Sequence, residues 1–290
     1  MFPSFIVPKW VRAHWFTYKS ADEIPESIYD SIRNKVEKLM SNEPLVSIGI
    51  IAYNEEQYIL RTISSLAEQR SSFPMEIICT DNNSQDKTRE IIKKTGIKYV
   101  LETKKGVGNA RQAAMDLAKG RYYLTVDADT IYPPDWVECM VLKLEKPGVA
   151  AVYGRASFYK ENLKKLRIGF AIYEFVKYFV HRLRGIKRPE LSVCGYSFGM
   201  VKELAYKTGG WNTIIKRGED GYMAWQLTKF GKVVPERSKR SVVWMIDRSL
   251  KREGPFISAI AIRIIKEFKR IKEYFTKQKG DYETIDSNKY

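Results

Sequence analysis

From residue 44 to residue 127 the chain alternates between two patterns, and that alternation limits the folds open to it more than any other feature. PLVSIGIIAY (44–53) is a β-rich apolar run, NEEQYILRTISSLAEQR (54–70) carries Ile59, Ile63 and Leu66 at helical spacing, and MEIICTD (75–81) is strand-like again. NSQDKTREIIKK (83–94) opens on Ser84, a residue type that caps helices, and continues as a helix. The pattern repeats in IKYVLE (97–102), VGNARQAAMDLAKG (107–120, closed by glycine) and RYYLTVD (121–127). Strands and helices alternating at this spacing build an α/β fold, a mostly parallel sheet with helices on both faces.

In such sheets ligands sit outside the carboxyl ends of the strands. Tyr53 to Glu55, Asp81 and the pair Asp127/Asp129 each follow directly on a strand, so the sequence sets them along one edge, facing a common crevice. YLTVDADTIYPPDW (123–136) ends an apolar strand in two carboxylates separated by one small residue. One such oxygen can bind a divalent cation while the other reaches it through water. Hard oxygen donors suit Mg2+ or Mn2+, ions that complete their shell with substrate phosphates. Alone, D-x-D is commonly an acidic turn; its register with two other acidic strand ends favours function here. The structural alternatives for the other acids are a turn at DNNSQD and a charged helix start at Glu55 and Glu56.

Histidine is scarce. His14 and His181 lie away from the cysteines and from the acidic edge, which argues against a Ser-His-Asp triad, a Cys-His pair or a histidine-built zinc site. GVGNAR (106–111) lacks the third glycine of a dinucleotide fingerprint, and no G-x-x-x-x-G-K-[ST] occurs. The chemistry therefore rests on carboxylates and a metal. Glu219 and Asp220, in RGED ahead of Met223 and Leu227, stand where acids ordinarily open a helix. A carboxylate there can also deprotonate an acceptor hydroxyl. Cys79, Cys139 and Cys194 are odd in number and set among apolar neighbours, as expected of reduced thiols in a reducing compartment.

The net charge of +16 is lopsided: 29 basic and 14 acidic residues fall in 156–290, against 21 and 20 in 1–155. That imbalance points to an anionic partner: a phosphorylated substrate, an acidic membrane surface or nucleic acid. A helix around 161–184 carries Ile168, Ile172, Phe175, Phe179 and Leu183 at helical spacing among basic residues, and one around 255–278 repeats the design with Ile257, Ile260, Ile264, Phe268 and Ile271. Basic amphipathic helices of this kind lie in membrane interfaces, or else pack on the domain and expose their charge. Between them the sequence suggests a strand-like SVCGYSFGMV (192–201) and short strands near Val233 and Val242–Met245. No run approaches the roughly 18 apolar residues of a membrane span, and MFPSFIVPKWVRAHW lacks the layout of a signal peptide.

Four segments in order, SIGIIAYNEEQYI, EIICTDNNSQDKT, KGVGNARQAAMDLAKGRYYLTVDADT and GGWNTIIKRGEDGYMAWQL, resemble family 2 glycosyltransferases of the GT-A fold over residues 44–255. The resemblance implies that Ala52, Tyr53 and Glu55 bind the nucleotide, that Asp81 reads the base and that Arg111 lies near the nucleotide. It implies Asp129 as the direct metal ligand, with Asp127 nearer the ribose. Asp220 becomes the base of an inverting transfer, with Glu219 assisting the acceptor. IDRSLKREG (246–254) resembles a loop that closes over the diphosphate, with Arg248, Lys251 and Arg252 as phosphate contacts and Asp247 standing where a further metal ligand is often histidine. The Q-x-x-R-W pattern of processive synthases is absent, which favours transfer of one sugar per encounter.

The expected organisation is an N-terminal extension (1–43), a GT-A domain (44–255) with a nucleotide-sugar half (44–135) and an acceptor half (136–255), and a basic helix with a polar tail (256–290). The expected enzyme moves one sugar from a nucleoside diphosphate, UDP favoured over GDP or dTDP, to a hydroxyl of a saccharide or lipid-linked acceptor. It needs Mn2+ or Mg2+ and works in the cytoplasm or on the inner face of the cell membrane. The nearest rival is transfer onto a polyprenol phosphate, which needs no base. Nucleotidyl transfer usually places a glycine- and lysine-rich loop where this chain has YNEEQ. A nucleic-acid binder leaves the acidic edge unexplained, so no nucleic-acid partner is expected.

Overall fold

The structure, a computed structural model, describes residues 6–159, 166–246 and 256–276. Its strands are β1 (Val46–Ala52), β2 (Met75–Asp81), β3 (Lys98–Leu101), β4 (Tyr122–Asp127), β5 (Thr130–Ile131), β6 (Val149–Tyr153), β7 (Ala156–Tyr159), β8 (Phe198–Val201), β9 (Lys232–Pro235) and β10 (Val243–Ile246). Seven of them form one sheet in the order β3-β2-β1-β4-β8-β6-β9, and β5-β10-β7 form a small second sheet. Every neighbouring pair in the large sheet is parallel except the two made by β8, which runs against β4 and β6. The fold is thus mixed α/β with a mostly parallel sheet. Close strand packing imposes its own sequence constraint at Gly49, where a Cβ would lie 1.9 Å from the Tyr123 hydroxyl.

The helices are α1 (Lys9–Ala13), α2 (Glu26–Leu39), α3 (Ile59–Leu66), α4 (Thr88–Lys94), α5 (Val107–Leu117), α6 (Trp136–Leu144), α7 (Leu166–Lys187), α8 (Lys202–Lys207), α9 (Glu219–Leu227) and α10 (Phe256–Thr276). They cover both faces of the large sheet. Tyr29, Ile32, Ile59, Ile63, Ile91, Trp136 and Met140 from α2, α3, α4 and α6 pack with Ile48 and Ile50. On the other face Ala114, Met115, Ala205, Met223 and Leu227 from α5, α8 and α9 pack with Tyr123, Ala151 and Phe198. The segment expected as an N-terminal extension joins these layers. α2 buries its apolar stripe in the main core, while Val11 of α1 packs with Ile131, Tyr159 and Trp244 on the small sheet.

Several boundaries differ from the sequence expectation for identifiable reasons. α4 begins at Thr88 rather than at Ser84, because the Ser84 hydroxyl is spent on the Asn54 N–H (3.0 Å). α5 ends at Leu117, and the chain turns extended at Ala118 instead of closing on Gly120. Within 192–201 only Phe198–Val201 is strand; the residues ahead of it coil into short 3-10 turns around Gly195.

Candidate active site at the carboxyl edge of the sheet

A cavity of about 340 Å3 opens at the carboxyl ends of β1 and β4. Ile51, Ala52, Tyr53, Glu55, Asn82, Val107, Ala110, Asp127, Ala128, Asp129 and Met245 line it. Five of the residues expected to bind the nucleotide or metal, Ala52, Tyr53, Glu55, Asp127 and Asp129, therefore share one wall. Their loops are braced. Asn54 adopts φ 54° and Asn83 φ 63°, left-handed conformations that asparagine tolerates better than most residues. The Asn54 amide oxygen accepts from the Gln85 N–H (2.8 Å), and the Glu55 N–H donates to the Thr88 hydroxyl (2.7 Å). The N-terminal segment adds a second brace, since Glu56 accepts from the Ala21 N–H (2.9 Å) and the Tyr18 hydroxyl donates to the Glu56 carbonyl (2.8 Å).

Thr62 of α3 fixes the turn of the D-x-D: its hydroxyl donates to the Ala128 carbonyl (2.7 Å) and accepts from the Thr130 N–H (3.2 Å). The Asp127 N–H donates to the Tyr132 hydroxyl (3.2 Å), which in turn donates to the Tyr196 carbonyl (2.7 Å). The two aspartates are thus held by buried bonds on both sides of the intervening alanine.

Asp81 does not reach this cavity. Strand register explains the separation: Ile51 pairs with Asp127 across β1 and β4, whereas Ala52 pairs with Asp81 across β1 and β2. Adjacent residues of β1 face opposite ways, so the two aspartates leave the sheet on opposite faces. Asp81 is fully buried, accepting from the Ser84 N–H (2.8 Å) and pairing with Arg89 of α4 (2.8 Å). Its neighbour Asn82 borders the cavity instead. The Asn82 side chain holds the 102–106 loop, donating to the carbonyls of Glu102 and Lys104 and accepting from the Gly106 N–H. Sequence reasoning missed Asn82, because the facing of residues at the end of β2 follows from the register between strands, which no local pattern encodes.

Arg111 is the hub. It is 3% exposed and lies off the cavity wall, where its Nη2 donates to Asp127 (3.1 Å) and its Nε to Glu219 (3.2 Å), with its guanidinium 5.3 Å from the Trp211 ring centroid. Its Nη1 is buried without a hydrogen-bond partner. Burial opposes its charge, but Asp127, Glu219 and Asp220 outweigh that and hold it charged well above the usual range. Gly195 makes room: a Cβ there would stand 1.8 Å from Arg111 Nη2.

Glu219 and Asp220 open α9 after Gly218, which takes the left-handed φ of 91°. Glu219 is buried against Arg111, while Asp220 is partly open to solvent. The Asp220 carboxylate accepts from the N–H groups of Gly195 and Gly221, both at 2.7 Å. Burial, reinforced by the Glu219 charge, still pushes its pKa up to about 6, with Arg111 and the two N–H groups pulling it back. Burial likewise raises Asp127 from its ordinary value, offset by Arg111 and added to by Asp129. Neither Glu219 nor Asp220 lines the cavity; both connect to it through Arg111, which binds Asp127 on its wall. A carboxylate poised near neutrality is suited to general-base work.

The donor set fits a hard divalent cation that brings its own ligands. Asp127 and Asp129 supply carboxylate oxygens on the cavity wall, and among the described residues no cluster of three or more acidic, histidine or cysteine side chains could enclose a metal alone. Such a site leaves positions for diphosphate oxygens and water. The candidate phosphate contacts Arg248, Lys251 and Arg252, and Asp247 with them, lie outside the described residues.

The family model for glycosyl transferase family 2 matches residues 47–209. An uncharacterized glycosyltransferase of Haemophilus influenzae is 37% identical over 113 residues, 37% of this chain and 35% of that protein. The chain spans no more than 35% of the length of the first curated relatives it matches. Among solved structures, S. aureus TarS in complex with UDP aligns over 84% of this chain and 73% of its own, with a TM-score of 0.54 and 15% identity. The mannosyltransferase PcManGT of Pyrobaculum calidifontis, solved with GDP-Man and Mn2+, aligns over 86% and 80%, with a TM-score of 0.53 and 18% identity. At these identities the likeness is one of fold, and the fold is that of GT-A glycosyltransferases.

Proposed function

The chain belongs to glycosyl transferase family 2 and is a glycosyltransferase, and from that premise we propose that it moves a single sugar from a nucleoside diphosphate to an acceptor hydroxyl with inversion at the anomeric carbon. The observation that carries this reading is the Arg111 bridge. One buried guanidinium ties Asp127, on the wall of the donor cavity, to Glu219, the residue beside Asp220. A donor in the cavity and a base on α9 are thus held in one rigid arrangement, as a reaction between two bound substrates requires.

In this reading Ala52, Tyr53, Glu55 and Asn82 border the nucleotide, and Asp81 shapes that border by anchoring the turn after β2. Asp129, with Asp127 beside it, would hold Mn2+ or Mg2+; bound there, the cation offsets the negative charge that builds on the departing diphosphate. Arg111 favours the charged form of Asp127 and, by binding both carboxylates, fixes Asp127 and Glu219 in place. Asp220 accepts the proton of the attacking hydroxyl at a carboxylate lone pair not used by Gly195 or Gly221. The freed alkoxide attacks opposite the leaving diphosphate, so a β-linked product arises from an α-linked donor.

The favoured donor is a UDP-sugar, UDP being the nucleotide in the TarS complex, and GDP is the competitor to test because of GDP-Man in the mannosyltransferase. The acceptor is a saccharide or lipid-linked saccharide of a cell-surface glycan, met at the inner face of the membrane. Incubation with Mn2+ and a panel of UDP- and GDP-sugars, followed by NMR of the anomeric proton in the product, tests the proposal. Release of one nucleotide with an inverted product supports it; a retained configuration rejects Asp220 as the base of a single displacement.

A further inference from the structure

α7 has apolar residues on two sides. Phe170, Ala171, Tyr173 and Val180 are buried against the domain and α10, as the inner face of a surface helix should be. The opposite face should be polar. Instead Ile168 (59% exposed), Ile172 (52%), Phe179 (55%) and Ile186 (74%) stand outside, with half-exposed Phe175 in the same row. At about 100° per residue these positions fall within an arc of roughly 60°, a single stripe running most of the helix. Ile262, Ile265 and Phe268 of α10, the helix packed beside it, are exposed as well.

The surroundings of the stripe are cationic. α7 and α10 together carry ten Lys and Arg against three acids; Arg167, Arg184 and Arg263 are buried, while Arg182, Lys187 and Lys266 are exposed. Two of those acids are buried: Glu174 is bound by Arg167 through paired bonds of 2.7 Å, and Glu267 is 1% exposed. Arg182 and Lys187 sit exposed beside the stripe. A second copy of this chain would bring like charges together, whereas an anionic surface with an apolar interior satisfies both the row of Ile and Phe and its basic border. No described helix is long and apolar enough to cross a membrane, so the contact is one of lying on the surface.

We propose that the exposed face of α7 and α10 docks the enzyme on an anionic lipid bilayer, with Ile168, Ile172, Phe179 and Ile186 entering the acyl boundary and Arg182 and Lys187 meeting lipid phosphates. This deepens the reading of a membrane-borne acceptor and rests on that part of it alone, not on the donor chemistry. Full-length protein is sedimented at low salt with vesicles of equal parts phosphatidylcholine and phosphatidylglycerol, and with phosphatidylcholine alone. Wild type is expected to bind the anionic vesicles and to release as salt rises. Ile168→Ser with Phe179→Ser should lower the partition coefficient at least about tenfold. Arg182→Glu with Lys187→Glu should remove the preference for anionic lipid. Nucleotide binding and thermal unfolding, measured in parallel, should match wild type in both variants, which separates failure of this face from failure of the donor site. Wild type remaining in the supernatant overturns the proposal, as does an apolar double variant that binds like wild type. A wild-type dimer that this variant converts to monomer, without vesicle binding, makes a second copy the occupant and equally overturns it.

Discussion

Replacing Asp220 with asparagine should stabilise the protein while abolishing transfer. The folded-state pKa of Asp220 is raised from 3.8 to about 6, chiefly by burial. A raised pKa means that the group's favourable contribution is complete below the unfolded value and is lost as pH rises through about 6. Two units correspond to roughly 3 kcal/mol carried against the fold by the ionised carboxylate at pH 8. Asparagine has no charge to strand, and its amide oxygen keeps one of the two N–H bonds now made by Gly195 and Gly221. Losing the other costs about 1 kcal/mol. The net gain is about 1–2 kcal/mol, or several degrees of Tm for a chain of this size. Calorimetry of both proteins at pH 5 and pH 8 checks this: the advantage of the variant should be small at pH 5 and grow toward pH 8, while transfer falls by about 10²–10⁴. A variant less stable than wild type by the same margin at both pH values would refute the argument that burial strains this carboxylate. Retained transfer would refute its role as base and favour a phosphate acceptor that arrives already ionised.

Other consequences follow from the same geometry. Arg111→Met strands Asp127 and Glu219 without their cation and should cost about 3–5 kcal/mol in a urea titration. Because Arg111 pulls the Asp220 pKa down, its loss should also move the acidic limb of the pH-rate profile upward; an unmoved limb contradicts the coupling. Gly195→Ala drives a methyl group into the Arg111 guanidinium and should cost about 1–3 kcal/mol by the same titration, with transfer falling further than stability alone explains.

Much of the sheet was legible because its signal is local. Each strand from β1 to β4 is an apolar run of its own, and the edge bearing the acids follows from alternation alone. The reversed strand β8 was not legible as such. Its residues read as one longer strand from Ser192, and only the turn that lets Gly195 approach Arg111 breaks that run. The small sheet escaped because β5 has two residues and pairs with a strand more than 100 residues away. In the site, Asp127, Asp129 and the Glu219–Asp220 pair stood out by chemistry and position. The roles of Arg111 and Asn82 depend on contacts no local pattern encodes: Arg111 meets Glu219 across 108 residues of sequence, and the facing of Asp81 is set by the register between strands.

The central claim is that the acidic edge holds a nucleotide through a metal. Isothermal titration of UDP and GDP into wild type and Asp129→Ala, each with and without Mn2+, addresses it most directly. Binding of one nucleotide that Mn2+ strengthens and that Asp129→Ala loses is expected, with the unfolding transition unchanged. Equal binding by both proteins, or none with either nucleotide, would contradict it and leave the D-x-D as a structural turn.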